Sequence, residues 1–530
     1  MARDEVNRSS KSSPNTRASS GCNGSTAAEE ISASEWGLAE GYVPHTPQDR
    51  REMLEVISAA GGPTSLEALF DGIPDSCRLG RPLDLPVALD EISLSRHFQS
   101  LAARNLGAST LSCFLGAGQY DHFVPAAVDA LASRGEFFTS YTPYQPEASQ
   151  GSLQVFFEYQ SLVSELTGLE VSNMSLYDGA SAAAEAVLMA VAASGAGRPR
   201  VVVASSVHPH SREVVATYLR TIGVELVVVH AADGCLTPEK LAEAVDDRTA
   251  CVLVQQPNFF GRIESLGRLA EVVHGSGATM IVSVDPVSLG ILRRPGDAGA
   301  DIVVAEGQSL GNHLSFGGPS LGLLACRESF VRRVPGRLAG QTLDKRGNRC
   351  WVLTLQTREQ HIRREKATSN VCTNQGLLAL WSAIHLALLG PAGLADVARS
   401  CLSKAHHARA RLLATGRFEA ACEGPFFKEF VLRDRMGRPV ELVEELVAEG
   451  FLAGVPLGPL LPEEPTFVDC LLIAVTEKRS AEEIEQLALA VERVSARSRS
   501  ASGARSGDQE RRRQTGDRFA FSPAQETSRA

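Results

Sequence analysis

The chain has 530 residues, of which 44% are hydrophobic, and a formal net charge of −10. This length predicts two or three folded units. No apolar run approaches the roughly 18–20 residues of a bilayer span, and the acidic balance gives no reason to expect nucleic-acid binding. The eleven cysteines form no CxxC pair and no Cys/His cluster at metal spacing. We therefore expect reduced thiols, a cytoplasmic location and no metal site.

The N-terminal part contains no apolar segment of the kind that a secretory signal requires. Residues 1–40 are rich in serine and mixed in charge, which predicts a disordered extension and not a targeting peptide. Residues 41–115 are predicted to form an N-terminal helical segment that is punctuated by prolines. Helices are predicted there at residues 46–56 and 65–70.

The middle of the chain alternates between short apolar runs and helical patterns. A helix is predicted at residues 150–167. The β-branched runs that predict strands are residues 200–204, 224–229, 250–255, 280–284 and 301–304, and helices are predicted at 211–221, 238–245 and 265–274. This alternation indicates a mostly parallel sheet covered on both faces, in a large α/β domain over residues 116–376. Ligands are expected at the carboxyl ends of its strands.

The pattern changes after residue 376 to that of a smaller α+β domain, residues 377–494. Helices are predicted at 377–389, 394–415, 440–449 and 481–494, and strands at 427–432 and 471–475. The last 36 residues, 495–530, contain eight arginines and four acidic residues. This low-complexity composition predicts a disordered tail.

Asp285 follows the predicted buried strand at residues 280–284. An acid at that place is either a helix cap or a carboxylate that pairs with the protonated ring nitrogen of a pyridoxal cofactor. A second feature fits the cofactor hypothesis. Gly179 and Ser181 precede an alanine-rich helix, whose first amides and dipole favour an anion, although Asp178 or Ser181 could simply cap the helix. His208 ends another strand, either as a ring that stacks on the cofactor or as a hydrogen-bonded histidine.

A lysine that binds the cofactor covalently is missing from the expected place. It should lie at the end of the next strand, roughly two dozen residues beyond Asp285. The chain has only seven lysines, and none lies between Asp285 and Lys345. The expected position is filled by Gln308, Ser309 and Leu310.

Several runs of sequence now identify a resemblance. They are residues 115–118 (LGAG), 135–147 (GEFFTSYTPYQPE), 174–180 (MSLYDGA), 315–319 (SFGGP), 358–370 (REQHIRREKATSN) and 372–375 (CTNQ). Together with YVPHT at 42–46 and VTEKR at 475–479, they resemble the first subunit of bacterial glycine dehydrogenase (decarboxylating). This is the split form of the P-protein of the glycine cleavage system. The resemblance covers about residues 41–495. The extensions depart from the family pattern and, more slightly, so does the run FKE at 427–429.

The resemblance implies a fold of the pyridoxal-phosphate-dependent transferase type (fold type I) and an aminomethyl-transferring glycine dehydrogenase. The enzyme decarboxylates glycine and passes the aminomethyl group to the lipoyl group of H-protein, releasing CO2. The resemblance also explains the missing lysine, since the second subunit carries it and binds pyridoxal 5'-phosphate. This chain would have no catalytic residue for a Schiff base, and Gly179, Ser181, His208 and Asp285 would be a vestigial pocket. The implied assembly is an α2β2 heterotetramer.

Two segments of the chain remain candidates for contact with substrate or partner. Tyr141 and Tyr144 lie in a loop bracketed by prolines, where they either hydrogen-bond the carboxylate of glycine in the partner's pocket or are packed interface residues. The second segment packs charged and polar side chains densely, which indicates an interface, a docking patch for the acidic carrier or a solvated face. Its residues are His361, Arg363, Arg364, Lys366 and Asn370.

Two alternatives stay open at this point. One is a self-sufficient fold-type I decarboxylase that uses Lys345 or Lys366. The other is a non-catalytic scaffold or regulatory paralogue that binds a partner without shaping the site.

Overall fold

The computed structural model describes residues 44–81, 83–195, 197–231 and 233–514, with side chains as far as residue 498. The predicted extension at residues 1–40 and the end of the predicted tail, residues 515–530, lie outside the described residues. Contacts divide the chain into a first unit that ends at Gln99 and a second that begins at Ser100. The two units are described separately.

The first unit contains helix α1 (Pro47–Ala59), 3-10 turns at Glu67–Phe70 and Asp75–Cys77, and the start of α2 (Glu91–Ala102). Thr46 begins α1 with a capping box: its hydroxyl accepts from the Asp49 amide at 3.2 Å and its own amide donates to the Asp49 carboxylate at 2.7 Å. Both predicted elements are present, the second as a 3-10 turn. Helix α2 was not predicted.

The elements of the second unit follow in chain order. The helices are α3 (Ala126–Ala132), α4 (Gly135–Phe138), α5 (Gln150–Thr167), α6 (Gly179–Ser194), α7 (Pro209–Leu219), α8 (Pro238–Ala244), α9 (Leu266–Gly275), α10 (Gln360–Arg363), α11 (Gly376–Ala414), α12 (Pro439–Ala448) and α13 (Ala481–Gln514). The strands are β1 (Ser112–Cys113), β2 (Val171–Ser172), β3 (Arg200–Ala204), β4 (Glu225–Val229), β5 (Thr249–Gln256), β6 (Thr279–Val284), β7 (Ile302–Glu306), β8 (Gly322–Cys326), β9 (Leu338–Leu343), β10 (Arg349–Thr354), β11 (Phe418–Ala420), β12 (Glu429–Asp434), β13 (Phe451–Leu452), β14 (Val455–Pro456) and β15 (Cys470–Ala474).

A seven-stranded sheet forms the centre of this unit, in the order β2-β8-β7-β6-β5-β3-β4. The strands β3 to β7 pair in parallel, and β8 pairs antiparallel with β7 and β2. Their apolar runs are continuous because helices cover both sides of a parallel sheet. The five predicted strands are all present, so the prediction of a mostly parallel sheet is confirmed. The antiparallel strand β8 was missed.

Helix α6 packs across β5, β6, β7 and β8, and eight of its residues are buried. Its many alanines let the helix backbone approach the sheet closely. Close packing at its first turn brings the amide of Gly179 against β7, where a Cβ atom would lie 2.8 Å from the amide nitrogen of Glu306. Glycine is therefore required at this contact.

Helix α11 is long and apolar enough to cross a membrane by length and composition alone. It is broken at Gly390, with φ 58° and ψ −178°, just before Pro391, as the two separately predicted helices anticipated. Its buried residues pack in the cores of the second unit, as in the central helices of globular proteins. The helix is thus weak evidence for a membrane span.

A second, antiparallel sheet follows α11, in the order β11-β12-β15-β14. Helices α12 and α13 enclose a hydrophobic core of their own on this sheet. Helix α13 continues to Gln514, past the predicted end at residue 494, so its backbone differs from the predicted disordered tail over residues 495–514. The start of β12 lies against the carboxyl ends of the central strands and brings Lys428 and Glu429 there.

Candidate functional site

A cavity of about 530 Å³ opens at the carboxyl ends of the central strands. The predicted residues Gly179, His208 and Asp285 all line it. Ser181 lies at the edge of this group, where its amide and hydroxyl donate to Asp178 at 2.8 and 2.9 Å. The general rule for ligand sites in α/β sheets predicted this convergence.

Asp285 has the first of the two roles predicted for it, that of a cap, and its second oxygen pairs with a lysine of the chain itself. One carboxylate oxygen caps the 3-10 turn Pro286–Gly290 by accepting from the amide of Val287 at 3.1 Å. The other oxygen lies 2.8 Å from Nζ of Lys428. The Lys428 side chain is only 2% exposed, so this is a buried ion pair. The cationic partner of Asp285 therefore belongs to the chain itself.

Lys428 makes two further contacts. Its Nζ lies 2.8 Å from Nε2 of His122 and 3.5 Å from the centre of the Tyr120 ring. An ammonium group donates to Nε2, so the proton of the neutral His122 ring lies on Nδ1. Burial, and next the charge of Lys428, lower the pKa of His122. Sequence reasoning missed Lys428; its only signal was the departure of residues 427–429 from the family pattern.

The network continues from His122 to Glu477. His122 Nδ1 donates to the Glu477 carboxylate at 2.6 Å, and Cys401 Sγ lies 3.4 Å from the same carboxylate. Although burial opposes it, the hydrogen bond from His122 lowers the pKa of Glu477 to about 2. The three side chains place ligand-type atoms within 4.8 Å of one another. The proton on His122 Nδ1 and the ammonium of Lys428 favour a hydrogen-bonded network there over a cation.

Glu429, the neighbour of Lys428, bridges to the segment before α3. Its carboxylate accepts from the Tyr120 hydroxyl and from the amide of Ala117, both at 2.6 Å. Burial raises the pKa of Glu429 to about 7. A Cβ atom on Gly116 would lie 2.1 Å from this carboxylate, so only glycine allows the approach.

The anion site predicted at the first turn of α6 is occupied by a carboxylate of the chain itself. The Glu306 carboxylate accepts from the amide of Gly179 at 3.0 Å on one oxygen, and from the amides of Gln308 and Leu321 at 3.0 and 3.1 Å on the other. Burial raises the pKa of Glu306 to about 7, against the lowering effect of these hydrogen bonds. Both oxygens accept N–H groups, which is the arrangement that an ionised carboxylate satisfies best.

Gln308 occupies the expected lysine position and is held there by hydrogen bonds. Gln308 is buried, accepts from the amide of Tyr120 at 2.9 Å and donates to the carbonyl of Asn312 at 2.8 Å. His208 is likewise hydrogen-bonded, with Nε2 2.9 Å from the carbonyl of Ala117 and Nδ1 accepting from the amide of His210 at 3.2 Å. Burial lowers the pKa of His208 to about 4, so the ring is neutral.

The side chains present do not fit a pyridoxal phosphate cofactor. The carboxylate for its ring nitrogen is paired with Lys428, and the helix amide for its phosphate is occupied by Glu306. No lysine stands where the covalent bond would form. Lys345 and Lys366, the two lysines of the self-sufficient alternative, are exposed and do not line the cavity.

The loop that contains Tyr141 and Tyr144 lies on the surface. The two residues are 75% and 61% exposed, and their ring centres are 6.4 Å apart. Buried Arg337 supports the loop: its guanidinium lies 5.5 Å from the Tyr144 ring centre and donates to the Thr142 hydroxyl at 3.5 Å. The chain alone thus leaves both tyrosyl groups facing outward.

Arg337 also reaches the second predicted segment. Its Nε lies 3.6 Å from the carboxylate of Glu359, and His361 Nδ1 lies 3.5 Å from the same carboxylate. The structure therefore joins the tyrosine loop and the start of the charged segment, which are about two hundred residues apart in sequence. Arg337 was not identified from the sequence, because a lone arginine before a strand carries no motif.

Residues 361–370, here called the basic segment, are mostly exposed. Arg363, Arg364 and Lys366 are exposed and form no ion pair with any residue that the structure describes. His361 and Asn370 are exposed beside them. The segment also contains exposed Glu365, so its three cations leave a net positive charge, which favours an acidic partner.

Comparisons with known proteins point to one family. Residues 40–491 match the family model of the glycine cleavage system P-protein. The chain is 50% identical over 446 residues to a probable glycine dehydrogenase (decarboxylating) subunit 1 of Carboxydothermus hydrogenoformans, covering 84% of this chain and 98% of that protein. It is 50% identical over 456 residues to the protein of the same description in Anaeromyxobacter dehalogenans, covering 85% and 99%.

Solved structures show the same relationship. A crystal structure of an inhibitor-bound glycine decarboxylase (P-protein) of the glycine cleavage system superposes with a TM-score of 0.78 at 44% identity, covering 86% of this chain and 99% of that one. A sphingosine-1-phosphate lyase of Burkholderia pseudomallei superposes with a TM-score of 0.56 at 16% identity and so shares the fold alone. The predicted fold class, a pyridoxal-phosphate-dependent transferase of fold type I, is confirmed.

Proposed function

The chain belongs to the glycine cleavage system P-protein family, and on that premise we propose that it is the lysine-less subunit of a two-chain glycine dehydrogenase (decarboxylating). With its partner it decarboxylates glycine, transfers the aminomethyl group to the lipoyl group of H-protein and releases CO2. The observation that carries this proposal is a fold-type I cavity in which Gln308 stands at the expected lysine position and Lys428 forms an ion pair with Asp285. Such a chain needs a second chain for the chemistry.

Pyridoxal 5'-phosphate is bound covalently by the second, lysine-bearing subunit in this proposal. When bound there, the cofactor supplies the electron sink for loss of the carboxylate. Gly179, Ser181, His208 and Asp285 are then remnants with structural roles, as their satisfied hydrogen bonds support. The catalytic lysine is absent from this chain, and its contribution is the shape and polarity of the shared site.

The tyrosine loop is the element that this chain presents to glycine. Tyr141 is exposed on a loop that buried Arg337 supports from behind, so its hydroxyl is free to hydrogen-bond a carboxylate in the partner's pocket. Tyr144, whose ring lies near Arg337, has less freedom and supports the loop as well as the pocket. Orientation of a small substrate by fixed donors is a recognised source of rate enhancement.

The basic segment is assigned to protein contacts. Its exposed cations suit either the second subunit or the acidic lipoyl carrier. Arg337 connects this segment to the tyrosine loop, which supports assigning both to one contact surface. We assign His361 and Asn370, at its ends, to the same surface. The assembly is an α2β2 heterotetramer in the cytoplasm, with glycine as substrate.

Reconstitution tests the proposal. Exchange of labelled bicarbonate into glycine, in the presence of lipoylated H-protein, should occur with the mixed subunits and with neither chain alone. If the lysine-bearing chain alone exchanged bicarbonate as fast as the mixture, this chain would not be needed for the reaction, as the scaffold alternative requires. Exchange by this chain alone would support a self-sufficient decarboxylase.

A further inference from the structure

We propose that Lys428 and Glu306 are internal replacements for the two charged ends of the cofactor, and that the Lys428–Asp285 pair fastens β12 to the central sheet. The charged positions of the cavity are then occupied by the chain's own side chains, and the cavity needs no ligand to hold its shape. The inference goes beyond the proposed function, since it holds whether or not a second subunit binds.

The first replacement is at the ring-nitrogen position. In a cofactor site, the carboxylate after β6 pairs with a protonated pyridine nitrogen. Here the ammonium of Lys428 lies 2.8 Å from that carboxylate. The contacts of Lys428 with His122 and with the ring of Tyr120 surround the charge on its other sides. A positive charge is therefore retained at this position while the group that bears it has changed.

The second replacement is at the phosphate position. The first amide of α6 and two loop amides converge on one carboxylate, that of Glu306. Amides at a helix start are a general anion site, and the absence of a side chain on Gly179 allows the close approach. The anion that this site requires is supplied from the end of β7.

The first replacement has a mechanical consequence. Asp285, Lys428, His122 and Glu477 form one continuous buried chain of contacts. Lys404 of α11 donates to the carbonyl of Glu477 and extends this chain of contacts to that helix. The network thus joins β6, β12, α11 and the segment before α13 without any bound molecule.

A double-mutant cycle on the isolated chain tests the ion pair. Lys428→Met and Asp285→Asn should each lower Tm by roughly 4 °C, because each leaves one buried charge without its partner. The double variant should regain most of the loss, since no unpaired charge remains and Asn still caps the turn. Lys345→Met, at an exposed site, is the control and should leave Tm unchanged. Losses that simply add in the double variant would overturn the proposal.

Chemical rescue provides a second measurement if Lys428→Met folds poorly. Lys428→Ala should gain thermal stability from butylammonium chloride, relative to sodium chloride at the same ionic strength. The Lys345→Ala control should not respond. No difference between the two salts for Lys428→Ala would mean that the pocket does not select an ammonium at Asp285, and would overturn the proposal.

The anion position is tested with inorganic phosphate. The Tm of Glu306→Ala should rise more in sodium phosphate than in sodium chloride of equal ionic strength. The Tm of the wild-type chain should not differ between the two salts. A wild-type chain that responds as strongly as the variant would show that Glu306 does not occupy the anion site. All three measurements use this chain alone, so their failure is distinct from failure to reconstitute exchange with the second subunit.

Discussion

Replacement of Arg337 by methionine should uncouple the tyrosine loop from the basic segment. Methionine keeps the packing volume of the side chain but removes the charge that faces Glu359. Removing one partner of a buried pair costs about 3–5 kcal/mol in general. The separation of 3.6 Å makes this a weak pair, and the Glu359 carboxylate keeps its contact with His361 Nδ1, so we expect a loss of about 3 kcal/mol here. Denaturant unfolding of the isolated chain measures this loss.

The same variant should impair the mixed enzyme. The Tyr141 loop loses its support at Thr142 and Tyr144, and displacement of a positioning group by about 1 Å commonly costs up to about 100-fold in rate. We expect glycine–bicarbonate exchange to fall at least about 10-fold. Arg399→Met is the matched control, because it removes an exposed pair with Asp396 and should cost less than about 1 kcal/mol. If Arg337→Met behaved like this control in both assays, the role assigned to Arg337 would be refuted.

Three further predictions concern Tyr141, Glu185 and the basic segment. Tyr141→Phe should lower exchange by the mixture with no change in Tm, because the hydroxyl is exposed; unchanged exchange would reduce Tyr141 to packing. Glu185 is one of the buried residues of α6. Burial raises the pKa of its carboxyl group to about 7, so its contribution to stability is present below the unfolded value of about 4.5 and is lost as pH rises through 7. The wild-type chain should therefore lose about 3 kcal/mol relative to Glu185→Gln between pH 4.5 and pH 8, and a flat difference would contradict the raised pKa. Reversal of the arginine charges in the basic segment should raise the KM for H-protein several-fold or abolish co-purification with the second subunit. Lys345→Glu is the control. If it changed the KM and the co-purification as much as the arginine reversals, the segment would be only a solvated face.

Much of the fold could be predicted from local patterns. The five parallel strands are continuous β-branched runs, and the break in α11 at Gly390 and Pro391 follows from the backbone preferences of those two residues. Strand β8 and the β9–β10 hairpin were missed, since they lack the continuous β-branched runs that mark the five parallel strands. Helix α13 continues through a polar, arginine-rich stretch that composition alone had assigned to a disordered tail.

The site was predictable only on the side that belongs to the central sheet. The convergence of Gly179, His208 and Asp285 follows from the rule that carboxyl ends of parallel strands meet at one edge. Lys428 could not be placed, because its partners His122 and Asp285 lie far away in sequence and long-range pairing leaves no local pattern. Glu306 offered a weak signal, as an acid at a strand end beside the empty lysine position.

The location of the cofactor in the reconstituted enzyme tests the central claim most directly. The mixed subunits, loaded with pyridoxal phosphate, should be reduced with borohydride, separated and mapped by peptide mass. The account predicts that the reduced cofactor is attached to a lysine of the second subunit and that this chain, including Lys428, is unmodified. A stoichiometric phosphopyridoxyl group on any lysine of this chain would contradict it.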